Sequence, residues 1–126
     1  MHRSQLAGFI IDCETDDLEA AANFWGQALG CSLSRSDDPD DEAYVQLETG
    51  PNDLHVEVQR VKHESRLHLD IEADDIEAEV VRLEKLGAKR VSQVKQWWVM
   101  EAPTGHRFCV VRPERTEFSV EANQWP

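Results

Sequence analysis

The 126-residue chain has few cysteines, few basic residues and no long apolar run. Its three cysteines, Cys13, Cys31 and Cys109, form no CxxC pair, which favours reduced thiols and a cytoplasmic protein. Thirteen Lys and Arg against 25 Asp and Glu give a net charge of −12, which disfavours nucleic acid and anionic membranes as partners. No stretch reaches the roughly 20 apolar residues of a membrane span, and "MHRSQLAGF" does not resemble a signal peptide. The composition therefore predicts a globular cytoplasmic protein that binds neither nucleic acid nor membrane.

What the chain does contain is an internal repeat. Residues 9–20, "FIIDCETDDLEA", match residues 67–78, "LHLDIEADDIEA", at an offset of 58 positions (67 − 9). Both read as a strand, an aspartate, an acidic turn and the start of a helix, and both helices end in Leu-Gly, at Gly30 and Gly87. An aspartate in each turn can cap the free N–H groups at the helix start.

Three strand-like segments follow each helix and are separated by turn residues. In the first half they run over about 31–35, 43–48 and 54–61, and in the second half over about 90–94, 97–101 and 107–112. The prediction is an α+β fold with two repeated βαβββ modules, about 6–62 and about 66–113, in one domain spanning 1–113. Curved mixed sheets would enclose a cavity, with the helices on the outer face. Residues 114–126 form a tail whose Phe118, Val120 and Trp125 are expected to dock on the domain or on a second subunit.

Alternation along the strands predicts which side chains face the helices and which face the cavity. The predicted helix-facing residues are Phe9, Ile11, Cys13, Val56, Val58, Leu67, Leu69, Ile71, Phe108 and Val110. The predicted cavity-facing residues are Ile10, Asp12, His55, Glu57, Gln59, Arg66, His68, Asp70, Cys109 and Val111. Of the adjacent Trp97 and Trp98, we expect Trp98 to face the cavity. Polar groups are thus concentrated on one side.

Four segments in this order resemble the vicinal oxygen chelate superfamily, which contains glyoxalases, bleomycin-resistance proteins and extradiol dioxygenases. They are "IDCETDDLEAAANFWGQALG", "QRV", "RLHLDIEADDIEAEVVRLEKLGA" and "PTGHRFCVV", and the resemblance is to the glyoxalase-like branch over roughly residues 6–113. Metal-using members take one ligand from the first and one from the last strand of each module. The resemblance places these positions at Ile10, Glu57, His68 and Cys109, of which His68 and Glu57 match the usual residue types.

Each singled-out residue has an alternative structural role. His68 is a weak metal ligand or a general base, or else a partly buried histidine bonded to Asp12 or Asp70. Asp12 and Asp70 serve acid–base chemistry or hold the two modules together. Cys109 is a nucleophile or a small buried side chain. Trp98 offers an apolar wall to a ligand or fills a dimer interface.

Two functions follow from these residues and the resemblance. The first is a glyoxalase-like enzyme of the lyase, isomerase or dioxygenase type, with His68, Asp70 and Asp12 as catalytic residues. It would act on a small organic molecule, with or without one divalent ion (zinc, nickel, iron or manganese) on His68 and Glu57. The alternative is a metal-free protein that sequesters a small molecule, as bleomycin-resistance proteins do. In either case the predicted substrate-contacting residues are Ile10, Gln59, Trp98, Cys109 and Val111. The resemblance also implies a homodimer.

Overall fold

The computed structural model describes residues 1–50, 53–113 and 122–126. In chain order its elements are β1 (His2–Glu14), α1 (Leu18–Leu29), β2 (Ser32–Ser34), a 3₁₀ turn (Pro39–Asp41), β3 (Tyr44–Glu48), β4 (His55–Val61), β5 (Arg66–Ala73), α2 (Ile76–Lys85), β6 (Lys89–Val94), β7 (Trp97–Glu101), β8 (Arg107–Val111) and β9 (Asn123–Trp125). The chain divides into a first unit, Gly8–His68, and a second unit, which combines Met1–Ala7 with Leu69–Pro126.

The first unit places α1 on one face of strands ordered β2-β3-β4-β1. β4 pairs antiparallel with β3 and parallel with β1. The buried core consists of Ile11, Cys13, Leu47, Val56 and Val58, and side chains from α1 pack against it. The prediction of which residues of β1 and β4 face the helix is therefore confirmed.

Gly8 shows how closely β1 and β4 approach each other. It lies directly opposite His55, and a Cβ atom at position 8 would come within 1.7 Å of the His55 carbonyl oxygen. Only glycine leaves room for that backbone contact. This position therefore supports the register that places Ile10 beside Glu57 and Asp12 beside Gln59.

The second unit repeats this arrangement with α2 on strands ordered β5-β8-β7-β6. β5 and β8 are parallel, and the core consists of Ala73, Val80, Leu83, Met100 and Val110. The caps repeat as well. Asp17 accepts a hydrogen bond from the N–H of Ala20, and Asp75 accepts one from Ala78, both at 3.0 Å. The predicted α+β class with two βαβββ modules is confirmed.

One detail of the predicted parity is wrong, that of Trp98, whereas Leu69 keeps its predicted face opposite Phe108 but is not covered by the core. Leu67 and Leu69 are 63% and 49% exposed, and neither belongs to the core of either unit. On β5 the core of the second unit reaches back only to Ile71. Trp98 packs against the helix-side core, because it lies opposite Val110 in the antiparallel β7–β8 pair and directly opposite residues share a face.

The two ends of the chain meet in the second unit. β9 pairs antiparallel with the start of β1, with Trp125 opposite His2. The indole N–H of Trp125 donates to Ser4 Oγ at 2.8 Å. Trp125 therefore docks on this chain, while Phe118 and Val120 lie outside the described residues.

Beneath this junction lies a buried carboxylate on α2. Glu79 accepts hydrogen bonds from Arg82 Nε at 2.7 Å, Arg82 Nη2 at 2.9 Å and His2 Nε2 at 2.8 Å. The Arg82 guanidinium also lies 3.8 Å from the centre of the Trp125 ring. The network ties the start of β1 and the end of β9 to α2. No helix in the described ranges is long and apolar enough to cross a membrane.

Candidate functional site

Asp12 and His68 form the central contact of the first unit. The Nδ1–H of His68 donates to Oδ2 of Asp12 over 2.8 Å. Asp12 is 2% exposed, while His68 is 14% exposed. Because the carboxylate holds the proton on Nδ1, the neutral ring has its basic lone pair on Nε2. This tautomer suits a histidine that takes up a proton or binds a metal ion through Nε2.

Two further basic side chains lie near the same carboxylate oxygen. The Arg66 Nε atom is 3.9 Å and the His63 Nε2 atom is 4.0 Å from Oδ2 of Asp12. Arg66 Nη2 donates a hydrogen bond to His63 Nε2 over 3.4 Å, and the Nδ1–H of His63 donates to the Glu64 carbonyl over 2.8 Å. The other oxygen, Oδ1, is buried and has no hydrogen-bond partner within the described part of the chain. A buried carboxylate needs compensating charge, which these side chains can supply.

β4 places three more of the predicted residues beside β1. Ile10 lies next to Glu57, and Asp12 lies next to Gln59. The Gln59 amide donates to the Tyr44 hydroxyl at 2.9 Å. Glu57 Oε1 is 2.8 Å from His55 Nε2, so a neighbouring imidazole already engages this carboxylate. Ile10 is buried and contributes only aliphatic surface.

The remaining predicted residues belong to the second unit. Asp70 lies opposite Cys109, with a carboxylate oxygen and Sγ within 4.8 Å of each other, and Glu72 lies opposite Val111. Trp98 is on the helix side, so the expectation that it contacts a ligand on the other face is wrong.

The four ligand positions implied by the resemblance do not fit a complete metal set. Ile10 has no donor atom, and the Glu57 carboxylate contacts His55. Within the second unit, the Asp70 carboxylate and the Cys109 thiol are donor types that a divalent ion accepts.

Two further polar residues, one in each unit, were not predicted from the sequence. His63 lies in the turn between β4 and β5, where no periodicity indicates its direction. Glu72 is almost fully buried and accepts a hydrogen bond from the Gln5 amide at 2.6 Å. The alternation of Arg66, His68 and Asp70 continues to Glu72, so extending that pattern by one step would have found it.

Several solved structures share this fold at low sequence identity. A hypothetical protein from Bacillus halodurans C-125 is 13% identical with a TM-score of 0.65, over 92% of this chain and 99% of that chain. A methylmalonyl-CoA epimerase variant from Streptomyces coelicolor, in complex with 2-nitronate-propionyl-CoA, is 11% identical with a TM-score of 0.59, over 91% and 98%. The Mn(II)-bound glyoxalase from Novosphingobium aromaticivorans is 16% identical with a TM-score of 0.62, over 95% of this chain and 44% of that chain. At these identities the likeness shows the fold alone, and the membership of the vicinal oxygen chelate superfamily follows from the family-model match over residues 8–111.

The sequence comparison is more specific. Residues 8–111 match the model of the glyoxalase-like domain family, which covers most of the chain. The chain therefore belongs to the glyoxalase-like domain family. None of the curated proteins compared with it has a significantly similar sequence.

Proposed function

We propose that this chain is a glyoxalase-like enzyme that moves a proton on a small carbonyl compound. The hydrogen bond from His68 Nδ1 to the buried Asp12 carboxylate, 2.8 Å long, is the observation that carries the proposal. It gives the imidazole one orientation and one tautomer, and both are needed for a general base. The partial exposure of His68 supports access by a substrate.

The proposed reaction begins with a C–H bond next to a carbonyl group. His68 Nε2 takes the proton, and the electron pair of the broken C–H bond moves towards the carbonyl oxygen to give an enolate. The positive charge on the imidazolium is balanced by Asp12, which lies against the opposite ring nitrogen. Return of the proton to the same or a neighbouring atom gives an epimer or an isomer and restores the neutral imidazole. Asp12 thus acts as a positioning residue, while His68 transfers the proton.

Deuterium exchange tests this role whichever product the reaction forms. Pyruvate, dihydroxyacetone and acyl thioesters would be incubated with the protein in D2O, and loss of their C–H signals followed by proton NMR. We expect exchange above the buffer rate for at least one compound class, and a loss of about 100-fold or more in His68→Gln. Asp12→Asn should lose about 10- to 100-fold, because the amide no longer enforces the tautomer.

The matched control is His106→Gln. His106 lies in the exposed turn before β8 and contacts Thr104 Oγ1 at 2.7 Å, away from Asp12 in the sequence and outside the first unit. Its variant should exchange at the wild-type rate. Absence of exchange for every compound, or an equal loss in His106→Gln, would contradict the role of His68.

A divalent ion on His68 and Glu57 stays a prediction, and no step above uses it. When bound, zinc, nickel, iron or manganese would polarise a carbonyl oxygen. Elemental analysis of untagged protein, with His68→Ala as the control, tests it by metal content alone. About one ion per chain, lost in the variant, would make Nε2 a ligand and exclude its use as the base.

Ile10 favours the second candidate, a metal-free protein that sequesters a small molecule. It places buried aliphatic surface at a position where the resemblance implies a metal ligand. Such a binder would retain its ligand in His68→Gln and would catalyse no exchange. Asp70 as a further acid–base group, and Gln59, Cys109 and Val111 as substrate contacts, stay predictions.

We also propose a cytoplasmic homodimer. The three cysteines are free thiols, as expected in a reducing compartment. Leu67 and Leu69 expose apolar surface that a second subunit could cover. Light scattering after size-exclusion chromatography tests the dimer, and Leu67→Asp should shift it towards the monomer.

A further inference from the structure

The strongest unexplained feature of the first unit is a local concentration of basic residues. Within residues 60–68 stand Arg60, Lys62, His63, Arg66 and His68, with Glu64 as the single acid. The chain as a whole has a net charge of −12. A basic segment in so acidic a chain indicates either compensation of a buried acid or attraction of an anion.

Compensation of the negative charge of Asp12 explains only part of this group of basic side chains. Its Oδ2 already accepts the hydrogen bond from His68, and Arg66 and His63 stand at 3.9 and 4.0 Å, beyond hydrogen-bonding distance. Both side chains are more than one-third exposed, so their outer surfaces face solvent. The Arg66 guanidinium has five N–H donors in a planar fork. One of them donates to His63 Nε2 over 3.4 Å, and a carboxylate oxygen 3.9 Å away does not use the others.

The burial of the four side chains increases from outside to inside. Arg66 and His63 are partly exposed, His68 is mostly buried, and Asp12 is almost fully buried. Arg66 and His68 lie around the same Asp12 oxygen, so a molecule bound to Arg66 would stand beside His68. An arginine is suited to a carboxylate, which it can bind through two parallel hydrogen bonds.

From this arrangement we infer that Arg66, oriented by His63, forms an anion-binding site, and that the substrate is a small carboxylic acid. Its carboxylate binds the Arg66 guanidinium beside His63, and its acidic C–H bond is presented to His68. The substrate class rests on the proposed function, whereas the anion site itself does not. After proton transfer the imidazolium and Arg66 lie on the same side of Asp12, where they stabilise the enolate.

Malonate and its neutral isostere malonamide test the anion site directly. Each would be titrated into the full chain at neutral pH and constant ionic strength, with the Cε1–H signals of the five histidines followed by NMR. We expect malonate to shift the signals of His63 and His68, and malonamide to leave them unchanged. Arg66→Gln should weaken malonate binding by about tenfold or more, and Arg66→Lys should restore part of it.

Arg60→Gln is the matched control, because it removes the same charge from an exposed position of β4, six residues before Arg66 (66 − 60). It should keep malonate affinity within about twofold of wild type, because Arg60 lies opposite Cys13, on the other face of the strands from Asp12, and its exposed charge is screened. Equal shifts by malonate and malonamide, no shift by malonate, or equal weakening by Arg60→Gln and Arg66→Gln would each overturn the site.

The two proposals fail in different ways. Malonate binding that depends on Arg66, without catalysed deuterium exchange of any compound, would refute catalysis and leave the anion site standing. Catalysed exchange that is equally fast for acids and for their neutral amides would refute a carboxylic acid as the substrate class and leave His68 as the base. Exchange restricted to acids, and lost in Arg66→Gln while Arg60→Gln is unaffected, would support both.

Discussion

Replacing Arg82 with alanine removes the principal partner of a buried carboxylate and should destabilise the protein strongly. Glu79 has no exposed surface, and Arg82 donates two of its hydrogen bonds, at 2.7 and 2.9 Å. Loss of one member of a buried ion pair costs about 3–5 kcal/mol. Because Arg82 is 25% exposed and His2 still donates to Glu79, we expect the lower end, about 3 kcal/mol.

Urea denaturation followed by tryptophan fluorescence measures this loss. For an m-value of about 1.5 kcal/mol/M, a loss of about 3 kcal/mol lowers the midpoint by about 2 M. Adding Glu79→Gln to Arg82→Ala should restore about 1–2 kcal/mol, because a neutral amide is easier to bury than an unpaired carboxylate.

Arg90→Ala is the control, because it also removes an arginine from carboxylate partners, but these partners are exposed. Arg90 is 28% exposed, makes hydrogen bonds to Glu77 and Glu84 and stacks on Trp98, but both of its carboxylate partners are exposed. Its removal should therefore shift the midpoint far less, since exposed ion pairs contribute little. Equal shifts for the two alanine variants would refute the reasoning that burial of the carboxylate sets the cost.

Three other predictions concern single positions. Burial alone would raise the pKa of Glu79, but the hydrogen bonds that this carboxylate accepts lower its pKa below the ordinary value of 4.5. The stabilising effect of Glu79 is therefore present above pH 4.5 and is lost as the pH falls through the lower pKa of the folded protein. Glu79→Gln should reduce this loss of stability at acid pH, as measured by urea midpoints between pH 3 and 6. Gly8→Ala should cost about 4 kcal/mol or more, because its Cβ would collide with the His55 carbonyl; a wild-type urea midpoint would contradict the register of β1 and β4. Burial, and after it the negative charge of Asp12, raises the pKa of the Cys13 thiol. Mass spectrometry should therefore show that Cys13 of the native protein reacts with iodoacetamide about tenfold more slowly than Cys31. In urea the two cysteines should react at similar rates.

The repeat and its turn chemistry made much of the fold predictable. The helix caps, Asp17 and Asp75, are recognisable because aspartate before an amphipathic stretch has a local role. The pairing of Asp12 with His68 followed from parity, which placed both on one face, although Asp70 was an equally available partner in the sequence. Local periodicity could narrow the choice to these two carboxylates, and the structure shows the hydrogen bond to Asp12.

Other features depend on contacts between distant residues and left little local signal. Trp97 and Trp98 are both apolar, so alternation could not say which one faces α2. His2 stands in a polar stretch and Glu79 stands on a charged helix, so each resembles a solvated residue. They are buried together because residues 77 positions apart meet in the second unit. Leu67 and Leu69 follow the expected alternation but extend beyond the cores that would have covered them.

The pairing of β1 with β9 has a consequence for the order of folding. It joins His2 to Trp125 and so closes a loop that contains nearly the whole chain. The entropy lost on closing a loop increases with its length, so this pairing should form late in folding and open early in unfolding. A short glycine-serine linker between the two ends would turn β9 and β1 into neighbours in sequence, with a contact as local as a hairpin. New ends could then be opened at the tight turn around Lys95, and the resulting circular permutant would form the β1–β9 pairing first.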